Sequence, residues 1–204
     1  MPETKKKLSE IKRESIVAAA RNAFMSFGVK STSMDKIAEM ANVSKRTVYN
    51  HFATKEALVM HLISELWKTA TVESKIKYNA NENLNEQLAM LLKEEIAIIG
   101  SEEYIDLSRV AFGHFMFKPE QIKEELAKFT EQETSIQVWL KAANQEGALV
   151  IKDAQYASEQ LHSLVKGGCF WPQIMKIKPI LNESEVTHLV AETVSMFINN
   201  YRVS

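Results

Sequence analysis

The sequence predicts an all-α chain of about nine helices, and three observations predict it. Six glycines and four prolines in 204 residues leave little punctuation. Apolar residues recur at three- and four-residue spacing through most of the chain, the mark of helices that bury one face. No segment alternates with period two for long enough to suggest a strand. At 46% hydrophobic, the chain can bury a substantial core as one large or two modest domains.

Each element follows from local signals. Ile16, Val17, Ala20, Phe24 and Phe27 define a first amphipathic helix, ended by Gly28. Thr32-Ser33 opens a second, whose narrow apolar stripe is Met34, Ile37, Ala38 and Ala41. Asn42 follows, one of the few non-glycine residues that tolerates the left-handed conformation of a helix end. Ser44 has a hydroxyl able to cap the next helix. That third helix turns only Val48, and then Phe52, inward. Lys45, Arg46, Thr47, Tyr49, Asn50 and His51 are left facing out. So many donors and an aromatic on one short helix point to a groove of DNA. Thr54 caps a fourth helix through Leu58, Leu62 and Leu66, expected to run to about Tyr78. Leu84, Leu88 and Leu91 mark a fifth, closed by Gly100, and Tyr104, Leu107 and Ala111 a short sixth. After Pro119 a long helix carries Ile122, Leu126, Phe129, Ile136, Leu140 and Ala143 to Gly147, with Glu133 on its apolar seam. The last two run through Ala157, Leu161, Leu164 and Gly168, and through Val186, Val190, Thr193, Phe197 and Tyr201.

The stretch from Thr32 to Lys55 closely resembles the DNA-binding domain of the TetR family of bacterial regulators. The matching residues are Phe24 and Gly28, Thr32-Ser33, Ile37-Ala38, Val43-Ser44-Lys45, Thr47-Val48-Tyr49, Phe52 and Thr54-Lys55-Glu56-Ala57-Leu58. The match covers about the first quarter of the chain without a gap. Three positions depart from the family's usual pattern: Asn42 replaces a turn glycine, Arg46 a frequent glycine, and Asn50 an aromatic or histidine. The last two detach this chain from any known operator sequence of the family. The resemblance implies a three-helix helix-turn-helix head, residues 1–54, on a ligand-binding and dimerisation body, residues 55–204.

Charge is divided along the same line. Residues 1–55 hold eleven Lys/Arg against five Asp/Glu, a balance of +6. The remaining residues hold fourteen against twenty-one, a balance of −7 hidden in the overall −1. A basic head on an acidic body suits a protein that meets phosphate at one end only.

Roles can be set out for the outward groups. Arg46 has the donor fork that matches guanine O6 and N7 in the major groove. Thr47 can place its methyl against thymine, and Asn50 can pair with adenine or hold a phosphate. Ser44, Lys45, Tyr49 and His51 suit the phosphodiester backbone. Ser33 and Lys55 stand at helix starts, where free N–H groups and the helix dipole favour a phosphate.

In the body, Leu164-Val165-Lys166-Gly167-Gly168-Cys169-Phe170-Trp171-Pro172 is similar to the AefR-like branch of the family. There the last two helices pair with their copies in a second subunit, which implies a homodimer interface including Leu161, Leu164, Gly168, Val190 and Phe197. Gly167-Gly168 costs about 1 kcal/mol per glycine inside a helix. It reads either as a close approach of another helix or as an ordinary break, with Pro172 ending or kinking what precedes. The family also implies a pocket for a small, largely apolar effector. Phe112, Phe115, Met116 and Phe117 crowd the sixth helix with His114 among them, and Met90 and Trp139 lie on neighbouring helices. These aromatics read equally as core. Glu133, a carboxylate on an apolar seam, needs a cationic ligand, an internal Lys or Arg, or a wet helix crossing.

Signals for other classes are missing. His51, His61, His114, His162 and His188 show no metal-ligand spacing with one another or with Cys169. No nucleophile elbow, P-loop or dinucleotide fingerprint occurs. Glu94-Glu95 and Glu102-Glu103 are too close in sequence to share a helix face and read as solvated charges. A single cysteine, no apolar run behind the charged N-terminus and no stretch of about 18 apolar residues lead to the expectation of a cytoplasmic protein without cofactor, metal or membrane. The expectation is therefore a homodimeric regulator, a repressor on a near-palindromic double-stranded operator, released by a small molecule that retilts the fourth helix. The alternative is an effector-independent DNA-binding protein.

Overall fold

Local capping chemistry sets most of the helix starts. The computed structural model describes residues 8–71, 74–116, 120, 123–124 and 133–202. Among them the helices are α1 (Leu8–Phe27), α2 (Met34–Met40), α3 (Lys45–His51), α4 (Lys55–Thr71), α5 (Leu84–Ile99), α6 (Glu102–Phe115), α7 (Ser135–Gln145), α8 (Ala154–Cys169), α9 (Trp171–Ile174) and α10 (Glu183–Tyr201). Each expected helix has a counterpart, and α9, a single turn, is added. Among the described residues the β-structure is an isolated bridge, Leu149 to Arg202. Side chains of Ser33, Ser44, Asn83, Thr134, Asp153 and Asn182 accept backbone N–H groups at helix starts that would otherwise go unpaired.

The chain divides into two compact units, Met1–Ser64 with Asp106–Lys123, and Glu65–Ile105 with Glu124–Ser204. In the first, Ile16, Ala20 and Phe24 of α1 are buried together with Ile37 and Ala38 of α2, Val48 of α3, and Leu58 and Leu62 of α4. Phe27 departs from the expected stripe and is exposed, because Gly28 at φ +76° ends the helix there. In the second unit the core is Leu88, Leu92, Ile96 and Ile99 of α5, Trp139 and Leu140 of α7, Leu161 and Val165 of α8, and Val190, Val194 and Phe197 of α10. Gln87 ties this core to the segment before α5. Its Oε1 accepts from Asn79 N at 2.8 Å and from Trp139 Nε1 at 3.3 Å, and its Nε2 donates to Asn79 O at 2.9 Å.

Several expectations are corrected. The fourth helix ends at Thr71 rather than near Tyr78. Ser74 and Asn79 offer the backbone side-chain partners instead: Ser74 Oγ accepts from Ile76 N, and Asn79 Oδ1 from Asn81 N. The long seventh helix is not continuous, since α7 starts at Ser135 behind a capping box of Thr134 and Gln137. Glu133 precedes that cap, exposed and paired with Lys141, so it occupies no seam; Ile122, Leu126 and Phe129 lie outside the described residues. Of the two readings of Gly167-Gly168 the ordinary break is excluded, since both stay within α8, and Pro172 lies beyond the end of that helix and opens α9. Finally, Glu95 is buried, 1% exposed, because it falls on the α5 stripe of Leu88, Leu91, Leu92, Ile96 and Ile99.

Candidate nucleic-acid interface

The turn between α2 and α3 is closed by backbone chemistry. Asn42 takes φ +53°, and its N–H reaches Glu39 O at 3.1 Å while Val43 N–H reaches Ala38 O at 3.1 Å. That pair of bonds is the Schellman arrangement, with asparagine in the position usually given to glycine. Ser44 then starts α3: its Oγ accepts from Thr47 N at 3.1 Å and lies 2.8 Å from Thr47 Oγ1. The two hydroxyls occupy each other in this state. Val48 and Phe52 are buried, and they orient the rest of α3. Lys45, Arg46, Tyr49 and Asn50 are exposed, Tyr49 by 50%, whereas Thr47 and His51 are half-buried. Ser33 is exposed at the start of α2, its Oγ accepting from Lys36 N at 3.1 Å.

Two of the cations expected at DNA, Lys45 and Lys55, have protein partners. Lys45 pairs with Asp35 of α2, both side chains more than half exposed. The sequence pattern places Lys55 at a phosphate-binding helix start. Its ammonium instead donates to Val29 O at 2.9 Å and Thr32 O at 3.0 Å. Thr32 Oγ1 in turn donates to Gly28 O at 2.9 Å. Lys55 is thus a strut that fixes the α1–α2 connection, and what it can offer a phosphate is the start of α4.

Sequence reasoning missed Arg13 and His61. The Arg13 guanidinium lies 4.9 Å from the centroid of the Phe52 ring and 3.1 Å from His61 Nε2. Phe52 and His61 are themselves in ring contact at 5.5 Å. This cluster clamps the C-terminal end of α3 between α1 and α4. No sequence period links residues 13, 52 and 61, so only the fold could reveal it.

The six residues expected to line a pocket fall into both units. Phe115 is buried and Phe112 half-buried; His114 sits 4.7 Å from the Phe115 ring, its Nδ1 4.0 Å from Glu56 Oε1. In the other unit Trp139 is 1% exposed, packed edge-on to Tyr78 and bonded to Gln87. It belongs to the core. Met90 is 54% exposed, on the outward side of α5, and Glu133 is exposed as described. Phe117 lies outside the described residues.

Three of the expected dimer residues, Leu161, Val190 and Phe197, are buried within their own chain. Gly168 also serves an internal contact, since a Cβ there would fall 2.7 Å from Leu189 Cδ1 of α10. Leu164 is partly exposed and borders a groove of about 660 Å³, lined also by Tyr156, Met196 and Tyr201. Of the expected set, only Leu164 therefore stands on the outward side of α8 and α10, beside Tyr156 and Met196. Among the described residues, no group of three His, Cys, Asp or Glu could hold a metal, and no helix is long and apolar enough to cross a membrane. Cys169 is buried, with its thiol pushed up to about 12 by burial and by the charge of Glu95.

Comparison with known proteins agrees with this architecture. Residues 16–62 match the bacterial regulatory proteins of the tetR family, and residues 86–203 the C-terminal domain of AefR-like transcriptional repressors. A crystal structure of a TetR family transcriptional regulator from Pseudomonas syringae pv. tomato superposes with a TM-score of 0.72 at 36% identity, covering 95% of this chain and 97% of that one. The HTH-type transcriptional regulator YhgD of Bacillus subtilis is 40% identical over 57 residues. That stretch is 28% of this chain and 30% of YhgD, so the chain spans less than a third of that relative's length. The HTH-type transcriptional regulator QacR of Staphylococcus aureus is 24% identical over 161 residues, 76% of this chain and 82% of QacR. With a basic helix-turn-helix at one end and a helical domain of the AefR type at the other, the chain belongs to the TetR family of transcriptional regulators.

Proposed function

We propose that the chain is a ligand-responsive repressor that binds a near-palindromic operator as a homodimer and is released by a small, largely apolar molecule. In this reading residues 1–54 form the DNA-binding domain, and residues 55–204 serve ligand binding and dimerisation. One observation carries it: α3 commits only Val48, and then Phe52, to the core, and presents Arg46, Tyr49 and Asn50 to solvent on a helix fixed at both ends. A helix held this rigidly, with a bidentate donor near its start, suits the major groove. Arg46 reads a guanine, Thr47 and Asn50 read neighbouring bases, and Ser33, Ser44, Lys45, Tyr49 and His51 meet phosphates. Lys45 leaves Asp35 to do so.

Dimerisation places a second copy against the outward side of α8 and α10, where Tyr156, Leu164 and Met196 leave apolar surface exposed. A two-fold dimer then presents two α3 helices to two half-sites, hence the palindrome. Effector release follows if the ligand prefers a conformation that fits DNA less well, and by linkage DNA must weaken ligand binding by the same factor.

The test is retardation of DNA flanking the chain's own gene against excess competitor DNA. Selective retardation of one fragment, with a footprint showing two related half-sites, supports the regulator. Equal retardation of every fragment favours an effector-independent DNA binder.

A further inference from the structure

The body contains a buried carboxylate that its own fold does not satisfy. Glu95 sits on the apolar stripe of α5 and is 1% exposed. Its Oε1 lies 2.7 Å from His162 Nδ1 of α8, but its Oε2 is buried without a hydrogen-bond partner. One turn before His162, Ser158 Oγ is buried and unpartnered in the same way. Leaving a carboxylate oxygen and a hydroxyl unsatisfied in an apolar interior is costly, and such groups persist where something else uses them.

The surroundings define what could use them. Tyr104 and Cys169 both feel the Glu95 charge, and burial holds both pKa values well above their ordinary ones. Each therefore keeps its proton at neutral pH and adds no charge to the cluster. Leu91, Leu92, Ile96 and Ile99 around it, with Leu161 and Val165 on α8, are apolar and buried. An anion would meet repulsion and no compensating donor fork. A protonated nitrogen would meet an open carboxylate oxygen, a hydroxyl able to accept, and apolar walls for the rest of the molecule.

We propose that Glu95 and Ser158 anchor the effector in the body, and that the effector is a small, otherwise apolar molecule carrying a cationic amine or amidine nitrogen. His162 positions the carboxylate by holding its other oxygen. Of the readings open to Glu133, it takes an internal lysine, and the carboxylate that is in fact buried is Glu95. This inference rests on the reading of the chain as a ligand-responsive regulator.

The test is calorimetric titration of the full chain with two matched probe sets: 4-phenylbutylamine, 4-phenylbutanol and 4-phenylbutyrate, and tryptamine, tryptophol and indole-3-acetate. In at least one set the amine should bind at least about tenfold more tightly than the alcohol, with the carboxylate weakest. Glu95→Gln should bring amine and alcohol within about twofold of each other, and Ser158→Val should weaken the amine more than the alcohol. If Glu95→Gln does not fold, the order of affinities in the parent and the Ser158→Val result decide. Amines that bind no better than their alcohols in both sets overturn the proposal, as does an amine preference that survives Glu95→Gln. DNA retardation by the parent separates the two readings. A chain that retards no DNA yet selects amines through Glu95 keeps this site and loses the regulator. One that retards its operator but fails both probe sets keeps the regulator and loses this site.

Discussion

The two ends of the chain use polar side chains in opposite ways. In the helix-turn-helix they are short-range and outward: Ser33 and Ser44 cap their own helices, Asn42 makes its own turn, and Arg46, Tyr49 and Asn50 stay in solvent. In the second unit the telling polar groups are inward: Gln87, Glu95, Ser158 and Gln173 are buried on helices whose outward faces hold residues such as Met90 and Tyr156. A surface that reads DNA needs its donors free and its scaffold self-contained. A body that closes around an apolar interior places its few polar groups where each one must be answered.

The largest expected effect breaks the body and spares the head. Trp139→Ala empties the core and orphans a Gln87 bond, which should cost about 3–5 kcal/mol by denaturant unfolding. A loss below about 1 kcal/mol would mean that Trp139 lines an accommodating cavity after all. Arg46→Ala does the reverse. Folding should be unchanged, while the preference at one base per half-site relaxes and binding loses about 1–3 kcal/mol per contact. A selection experiment that returns the parent's preferred sequence would remove Arg46 from base reading.

The two lysines sharpen the contrast within the head itself. Lys55→Ala should destabilise the helix-turn-helix by about 1–2 kcal/mol, because two backbone acceptors lose a charged donor. Lys45→Ala should leave stability almost unaltered, since exposed ion pairs contribute little. It should lower the slope of log affinity against log salt by about one unit per half-site. Finding the stability loss at Lys45 and the salt effect at Lys55 would reverse the assignments.

A further effect is alkaline and belongs to the body. Cys169 is pushed up to about 12 from an ordinary 9.0, and Tyr104 is raised above its ordinary 10.0. The folded chain therefore keeps protons that the unfolded chain releases, so this contribution is whole below about pH 9 and is lost as pH rises toward 12. Unfolding midpoints should fall across that window, and Cys169→Ala with Tyr104→Phe should flatten the fall.

How legible these features were in the sequence depended on the range of the interaction. Asn42, Ser44 and the inward pair Val48 and Phe52 declare themselves within one or two turns, and the structure places them as their spacing implies. Glu95 was readable too. The α5 stripe continues through it, but a charged residue on a stripe is easily taken for solvated surface. The Thr134–Gln137 capping box is a sequence pattern as well, and it should have broken the long helix after Pro119. Arg13 on Phe52 and Lys55 on Val29 lie 39 and 26 residues apart along the chain, where no period reaches. Gly168 showed that something comes close without showing that it is Leu189 of the same chain.

Trp139 and Trp171 of the second unit are sited so unequally that they form an optical ruler once the third tryptophan, half-buried Trp67 of α4, is replaced by phenylalanine. Trp139 is sealed, edge-on to Tyr78, so its emission should be blue-shifted and nearly inert to acrylamide. Trp171 is 43% exposed, immediately beyond the end of α8, where a soluble quencher reaches it. Quenching plots should therefore curve, with an accessible fraction traceable to Trp171 by its removal in Trp171→Phe. If that fraction shrinks as the chain is concentrated, a second copy has covered this end of α8, and light alone has counted the subunits.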